Sequence, residues 1–363
     1  MTLEDAQLKE RFESFARQYI APRDLNTSAF PYDIWEGMRD AGLFDLGSLA
    51  GKGGNYLTLS RGGEALLRAG GNMGLGLSWL MQELLFLFCI MGFGHKSQQE
   101  HYRDMTLGGK ILCLAVSEPE KGGHPKYLKT TAELHGDHYI LNGEKTYLTN
   151  GPIADMFIVI AVTDATGGRK RFTALLVPKD TPGLEVSAID LPFLKPSPHG
   201  SLKLENCPVP RENILGTVGR AYEDMVLPFR ELEDALMLGP LVGAMDNLMQ
   251  GLAGHTRQAG QTAALAESFG QLFTLSSVAR LLAGEAAGRL DSDLRGADLL
   301  SLTFIFRNLA RQFHTGAKEI MVVVGSDERL DALFNDFSLA LSFAKNVEKL
   351  KYAKLGQAVL EEV

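Results

Sequence analysis

Apolar residues at the start of the chain recur with the spacing of one helix face. Leu8, Phe12, Phe15, Ala16, Tyr19 and Ile20 predict an amphipathic helix ending at Pro22, with Thr2 and Asp5 as a capping pair. A second helix is predicted from near Pro31 to Gly42, where the glycine provides a stop. Leu57 to Leu67 and the apolar run Leu77 to Gly94 supply two more. The AGGNMGLG stretch between them is read as a helix–helix connection, because no strand precedes it as a phosphate loop requires.

From Lys110 the period changes to that of strands. ILCLAV, the stretch Thr130 to Leu148, DMFIVIAVT, RFTALLVP and LEVSAI are short runs rich in β-branched and aromatic residues. Turn chemistry separates them at His135-Gly136-Asp137, Asn142-Gly143, Thr166-Gly167-Gly168 and Pro182-Gly183. No helix-length segment interrupts the strands, which excludes a Rossmann arrangement. From Ala221 onward the helical period returns, with few prolines, and predicts a bundle of about four or five helices. The fold class is therefore α+β: an N-terminal helical domain over 1–109, a central antiparallel β-barrel or sandwich over 110–216, and a C-terminal helical bundle over 217–363.

Composition narrows the functional classes. At 363 residues, 45% hydrophobic and 22% charged, the chain is long enough for two or three domains of ordinary globular character. A formal net charge of -8 without a Lys/Arg run speaks against nucleic acid as a partner. Cys89, Cys113 and Cys207 form no CxxC pattern, which predicts a reducing compartment and no structural zinc. Gln82 and Glu83 interrupt the most apolar stretch, so a buried helix is expected there rather than a membrane span. No charged-then-apolar leader opens the sequence, and a cytoplasmic location is expected.

Three motifs give the chain a specific character. AVSEPEKGGHP (Ala115 to Pro125), LNGEKTYLTNG (Leu141 to Gly151) and VPRENILG (Val209 to Gly216) occur in this order and spacing. They resemble the phrases "TEPxAGSD", "NGxKxWITNG" and "VPxxNxLG" of the flavin-dependent acyl-CoA dehydrogenases. The resemblance covers nearly the whole chain, is strongest in the β-region and fades towards the C-terminus. It implies FAD as cofactor, with Leu114, backbone at Val116 and the Ser117 hydroxyl at the pyrimidine edge of the ring. Gly122 and Gly123 would let backbone approach the pyrophosphate or the thioester arm. Tyr147 stands where the family usually places Trp against the ring, beside Leu148, and Thr149 would bond near N5. Gly123-His124 replaces the usual Ser-Asp, and Phe193 to Ser201 is shorter than the family's segment.

Dehydrogenation of an acyl thioester needs a carboxylate at the α-carbon in a water-poor pocket. The late "YEGT" glutamate of most members is replaced here by Ala344. The isovaleryl- and long-chain branch instead carries its base within text like "LERLVLAGGPLG". The similar stretch LEDALMLGPLVG (Leu232 to Gly243) puts Glu233 at that position, with Gly239, Pro240 and Gly243 matching nearby. By the same resemblance, Gly123, Glu231 and Asp234 are candidate substrate contacts, Asp234 in place of a usual Arg.

By the same resemblance, Arg257 in TRQAGQ would stand for the Arg with which the family holds the far end of FAD across a subunit interface. The glycine-rich loop of that site is reduced to Gly325. The expected partners are an acyl-CoA or acyl-carrier thioester, an electron-transfer partner, and further subunits in a homo- or hetero-oligomer. A flavin monooxygenase of the same fold and a non-catalytic dehydrogenase-like subunit are the alternative functions. Ala344 suits the first of these, and the altered adenine-end motifs suit the second.

Overall fold

The computed structural model describes residues 3–44, 46, 55–342 and 345–361. Thr2 of the expected capping pair and Ala344 lie outside the described residues. The chain opens with α1 (Leu3–Phe15), which widens into a π-turn over Ala16–Ile20, followed by α2 (Tyr32–Asp40) and α3 (Asn55–Gly70). Next comes α4 (Met73–Leu84), which continues through a π-turn at Leu85–Ile90 to Phe93, and then α5 (Lys96–Leu107). Phe12 meets Trp79 edge-on at a ring separation of 5.2 Å, locking α1 against α4.

By length and composition Met73–Phe93 could cross a membrane, yet 89% of its most apolar 18-residue window is buried inside the fold. Its polar residue Gln82 works locally. The side-chain amide donates to the Lys110 carbonyl, and its oxygen accepts from the Leu112 amide, so the helix pins the first strand at its start.

Eight strands follow: β1 (Leu112–Ala115), β2 (Thr131–His135), β3 (His138–Thr149), β4 (Met156–Asp164), β5 (Arg171–Pro178), β6 (Leu184–Ile189), β7 (His199–Pro210) and β8 (Ile214–Leu215). They form one sheet in the order β6-β7-β3-β2-β4-β5-β8, with β1 beside β4. Pairing is antiparallel except for β1 and β2 against β4. The MFIVIAV run of β4 is apolar throughout because both faces are covered. Ile158, Ile160 and Val162 face the core shared with the helices, whereas Phe157, Val159 and Ala161 fill the interior of the β-domain.

Asn142-Gly143, expected to be a turn, instead lies within β3, where the register against β7 shifts. Gly143 has φ +149°, and a Cβ there would stand 2.5 Å from the Thr130 hydroxyl oxygen. The strand β7 was not predicted; it pairs with both β3 and β6.

The chain then enters a π-turn at Tyr222–Val226, α6 (Leu227–Leu236), α7 (Leu238–Gln258), α8 (Thr262–Asp291), α9 (Ala297–Val324), α10 (Glu328–Ser342) and α11 (Lys345–Glu361). The close approach of α7 to α3 requires glycine. A Cβ at Gly239 would lie 2.2 Å from the Ser60 carbonyl oxygen, and one at Gly243 would lie 2.2 Å from that of Glu64.

Candidate active site

The strand β3 leaves regular geometry where the site begins. Between Lys145 and Leu148 its register against β7 slips by one residue, and Tyr147 takes φ +55°. An extra residue in one strand turns its side chain off the pleat. Leu148 is buried as a result, and Tyr147 is 66% exposed. That exposure faces two neighbouring cavities.

The smaller cavity, about 160 Å³, is bounded by Leu114, Val116, Ser117, Tyr147, Leu148 and Thr149 on the β side, and by Phe229, Arg230 and Glu233 on α6. The larger, about 470 Å³, shares Tyr147, Thr149 and Glu233 and extends between Met73, Leu77, Phe193, Met237, Leu241 and Ala340. Six of the candidate ring-binding residues and the candidate base are thus brought together.

A buried ion pair holds the β-side wall in place. Lys145, fully buried, donates to a Glu118 carboxylate oxygen at 2.9 Å and to the Val116 carbonyl at 3.1 Å. Glu118 also accepts from the Thr130 hydroxyl at 2.6 Å and from the Lys129 and Thr130 amides. Burial pushes the Lys145 ammonium down to about 8, with Glu118 opposing the shift. These bonds fasten the SEP turn to β3. They also commit the Val116 carbonyl inward, leaving its N–H as the backbone group with which Val116 could meet a ligand.

Gly122, at φ +61°, turns the loop back so that it bridges to Glu118. The Gly123 carbonyl accepts from Arg230 Nη2 at 2.8 Å and from the Tyr222 hydroxyl at 2.9 Å. A Cβ at Gly123 would lie 2.5 Å from that same Arg230 nitrogen. A side chain at 123 would therefore displace the guanidinium. Arg230 and Tyr222 were not foreseen from sequence.

Glu233 lies near the end of α6, one turn after Arg230, and its half-buried side chain lines both cavities. Burial, with a further contribution from the neighbouring Asp234 charge, pushes its carboxyl up to about 7, and Arg230 opposes the shift.

Asp234 borders the larger cavity and is paired on both oxygens, with Arg307 of α9 at 3.2 Å and Lys351 of α11 at 2.9 Å. Glu231 is exposed on α6 and borders neither cavity. Arg257 is exposed in the last turn of α7, roughly 36 Å along the helical rods from Glu233 at 1.5 Å per residue.

The fit to a flavin ring can be judged from the wall itself. An aromatic face held out of its strand, apolar surface on the opposite helices, and hydroxyls at Ser117 and Thr149 suit a flat heteroaromatic with polar edges.

The comparisons with known proteins agree with this architecture. Residues 2–110 match the N-terminal domain model of acyl-CoA dehydrogenases, and 113–207 match the middle domain model. The 2-methylacyl-CoA dehydrogenase of Solanum tuberosum is 32% identical over 70% of this chain and 64% of its own length. The isovaleryl-CoA dehydrogenase of Oryza sativa subsp. japonica is 31% identical over the same shares, so these alignments take in less than two thirds of either relative. The butyryl-CoA dehydrogenase structure from Megasphaera elsdenii superposes with a TM-score of 0.88 at 20% identity, covering 99% of both chains. The chain belongs to the acyl-CoA dehydrogenase family.

Proposed function

We propose that this protein is an FAD-dependent dehydrogenase of acyl thioesters, with CoA or a carrier protein holding the acyl group and Glu233 as the base. The observation that carries the reading is the place of Glu233. Glu233 lines both cavities beside Tyr147 and Thr149, and burial brings its pKa to about 7. A carboxylate in that range removes a weakly acidic α-proton near neutrality, which an exposed glutamate does poorly. The proton passes to Glu233 and leaves a carboxylic acid, while the C–H electron pair becomes the new α,β double bond. FAD, when bound, supplies the two-electron acceptor for the hydride that departs from the β-carbon. Apolar walls at Met73, Leu77, Met237 and Leu241 exclude water and hold an acyl chain. Asp234, neutralised by Arg307 and Lys351, serves the base as a neighbour rather than contacting substrate directly.

Reoxidation calls for an external electron-transfer partner. Arg257, remote from the ring pocket of its own chain, would serve the adenine end of FAD in a second copy. A reducing, cytoplasmic setting is part of the reading, in keeping with three free and buried cysteines.

The test is anaerobic bleaching of the yellow protein by an acyl thioester. Wild type should bleach, and Glu233→Gln should keep its flavin and lose bleaching by at least a thousandfold. Unchanged bleaching in the variant removes Glu233 as the base. Turnover only with a reductase and oxygen favours the monooxygenase, and failure to take up flavin favours the non-catalytic subunit.

A further inference from the structure

Thr149 is not a free hydroxyl at the cavity wall. Its Oγ1 lies 3.3 Å from Nε2 of His199, the first residue of β7, whose Nδ1 lies 3.2 Å from the Ser197 carbonyl oxygen. A carbonyl can only accept, so Nδ1 carries the hydrogen. His199 is 8% exposed, and burial lowers its pKa below the usual histidine value, with the Ser197 carbonyl opposing. In the neutral ring Nε2 then holds a lone pair, and the Thr149 hydroxyl must donate to it. The charged groups that share the cavity are Glu233, Asp234 and Arg307, and Asp234 is already paired. With its hydrogen committed to His199, Thr149 turns only lone pairs towards the space beside Tyr147.

We propose that His199 is a positioning residue that fixes Thr149 as a hydrogen-bond acceptor towards the cavity, so that the site favours a ligand with an N–H at that point. For the flavin this part rests on the function proposed above. The redox-active edge of oxidised isoalloxazine carries nitrogen lone pairs, and two-electron reduction adds N–H. A fixed acceptor there binds the reduced ring better than the oxidised one and raises the two-electron potential.

Two measurements decide the matter. In protein labelled with 15N-histidine, the His199 ring should show Nδ1–H with Nε2 unprotonated at neutral pH. An Nε2–H tautomer or an imidazolium overturns the proposal, whether or not the protein takes up flavin. In the FAD-loaded protein, His199→Phe should lower the preference for reduced over oxidised flavin about tenfold, or about 30 mV for a two-electron couple. Thr149→Val should do the same, and the double variant should be no lower than Thr149→Val alone. His199→Gln, whose amide oxygen can still accept from Thr149, should keep most of the wild-type potential, and it covers the case in which the Phe variant fails to fold. An unchanged potential in His199→Phe, or an equal drop in both Thr149 backgrounds, overturns the proposal. Loss of flavin uptake by wild type would instead sink the proposed function and leave the tautomer as the deciding result.

Discussion

Glu233 and Lys145 are both titratable groups held where charge is costly, but they are handled differently. Lys145 is compensated by Glu118 within 2.9 Å, so truncating it leaves a carboxylate buried without its cation. Lys145→Met should cost about 3 kcal/mol, measured by urea unfolding, and weaken flavin binding because the Val116 carbonyl loses its tether. Glu233 has no such ion pair among the described residues, and its acid form is favoured in the folded state. Its pKa rises from an ordinary 4.5 to about 7. The folded protein therefore holds this proton more tightly than the unfolded chain does, and stability from this group falls as pH rises from about 4.5 through 7. Glu233→Gln should be more stable than wild type at pH 8, on the order of 2 kcal/mol after allowance for its partial exposure, and nearly equal at pH 4. The bleaching rate of wild type should move the opposite way, rising with pH and reaching half its plateau near 7, because only the carboxylate accepts the proton. A flat profile between pH 6 and 8 would separate Glu233 from the rate-limiting proton transfer.

At the level of elements, periodicity revealed most of the helices and the strands with clean apolar runs. It failed at β7, whose HGSLKLENCPVP sequence mixes charges, Asn and prolines. The reason is a local break in the pleat. Leu202 and Leu204 point inward, Asn206 takes φ +51°, and Cys207 and Val209 then resume the buried face, so no single alternation spans the strand. His199, on that strand, was invisible for the same reason, and Tyr147 could be read as an aromatic in a strand but not as one turned outward by a bulge. Gly239 and Gly243 were legible as part of a branch-like motif beside the base. In the structure they serve the contact between α3 and α7. Alanine at either position should destabilise the protein by about 1–3 kcal/mol, because backbone oxygens stand in the way and cannot move as a side chain would. Gly254→Ala on the same helix meets open space and should be neutral or stabilising by up to about 1 kcal/mol in the same denaturation experiment.

For the molecule as a whole, the cavities are a product of three regions meeting: Met73 and Leu77 from the first helices, Tyr147 and Thr149 from the sheet, and Glu233 and Met237 from the last bundle. The sequence revealed the order of these regions, but a concave site between distant segments carries no local pattern, which is why Arg230, Tyr222 and Arg307 were missed. One rod sets the distances within it. Arg230, which grips the Gly123 carbonyl, and Glu233, which lines both cavities, lie on consecutive turns of α6. The helix thus acts as a gauge between the glycine loop and the proton acceptor, and its graduation is a single residue. Deleting one position between them would turn the remainder of α6 by about 100° and bring Asp234, one methylene shorter and drawn away from the two cations that now hold it, to the place that Glu233 holds.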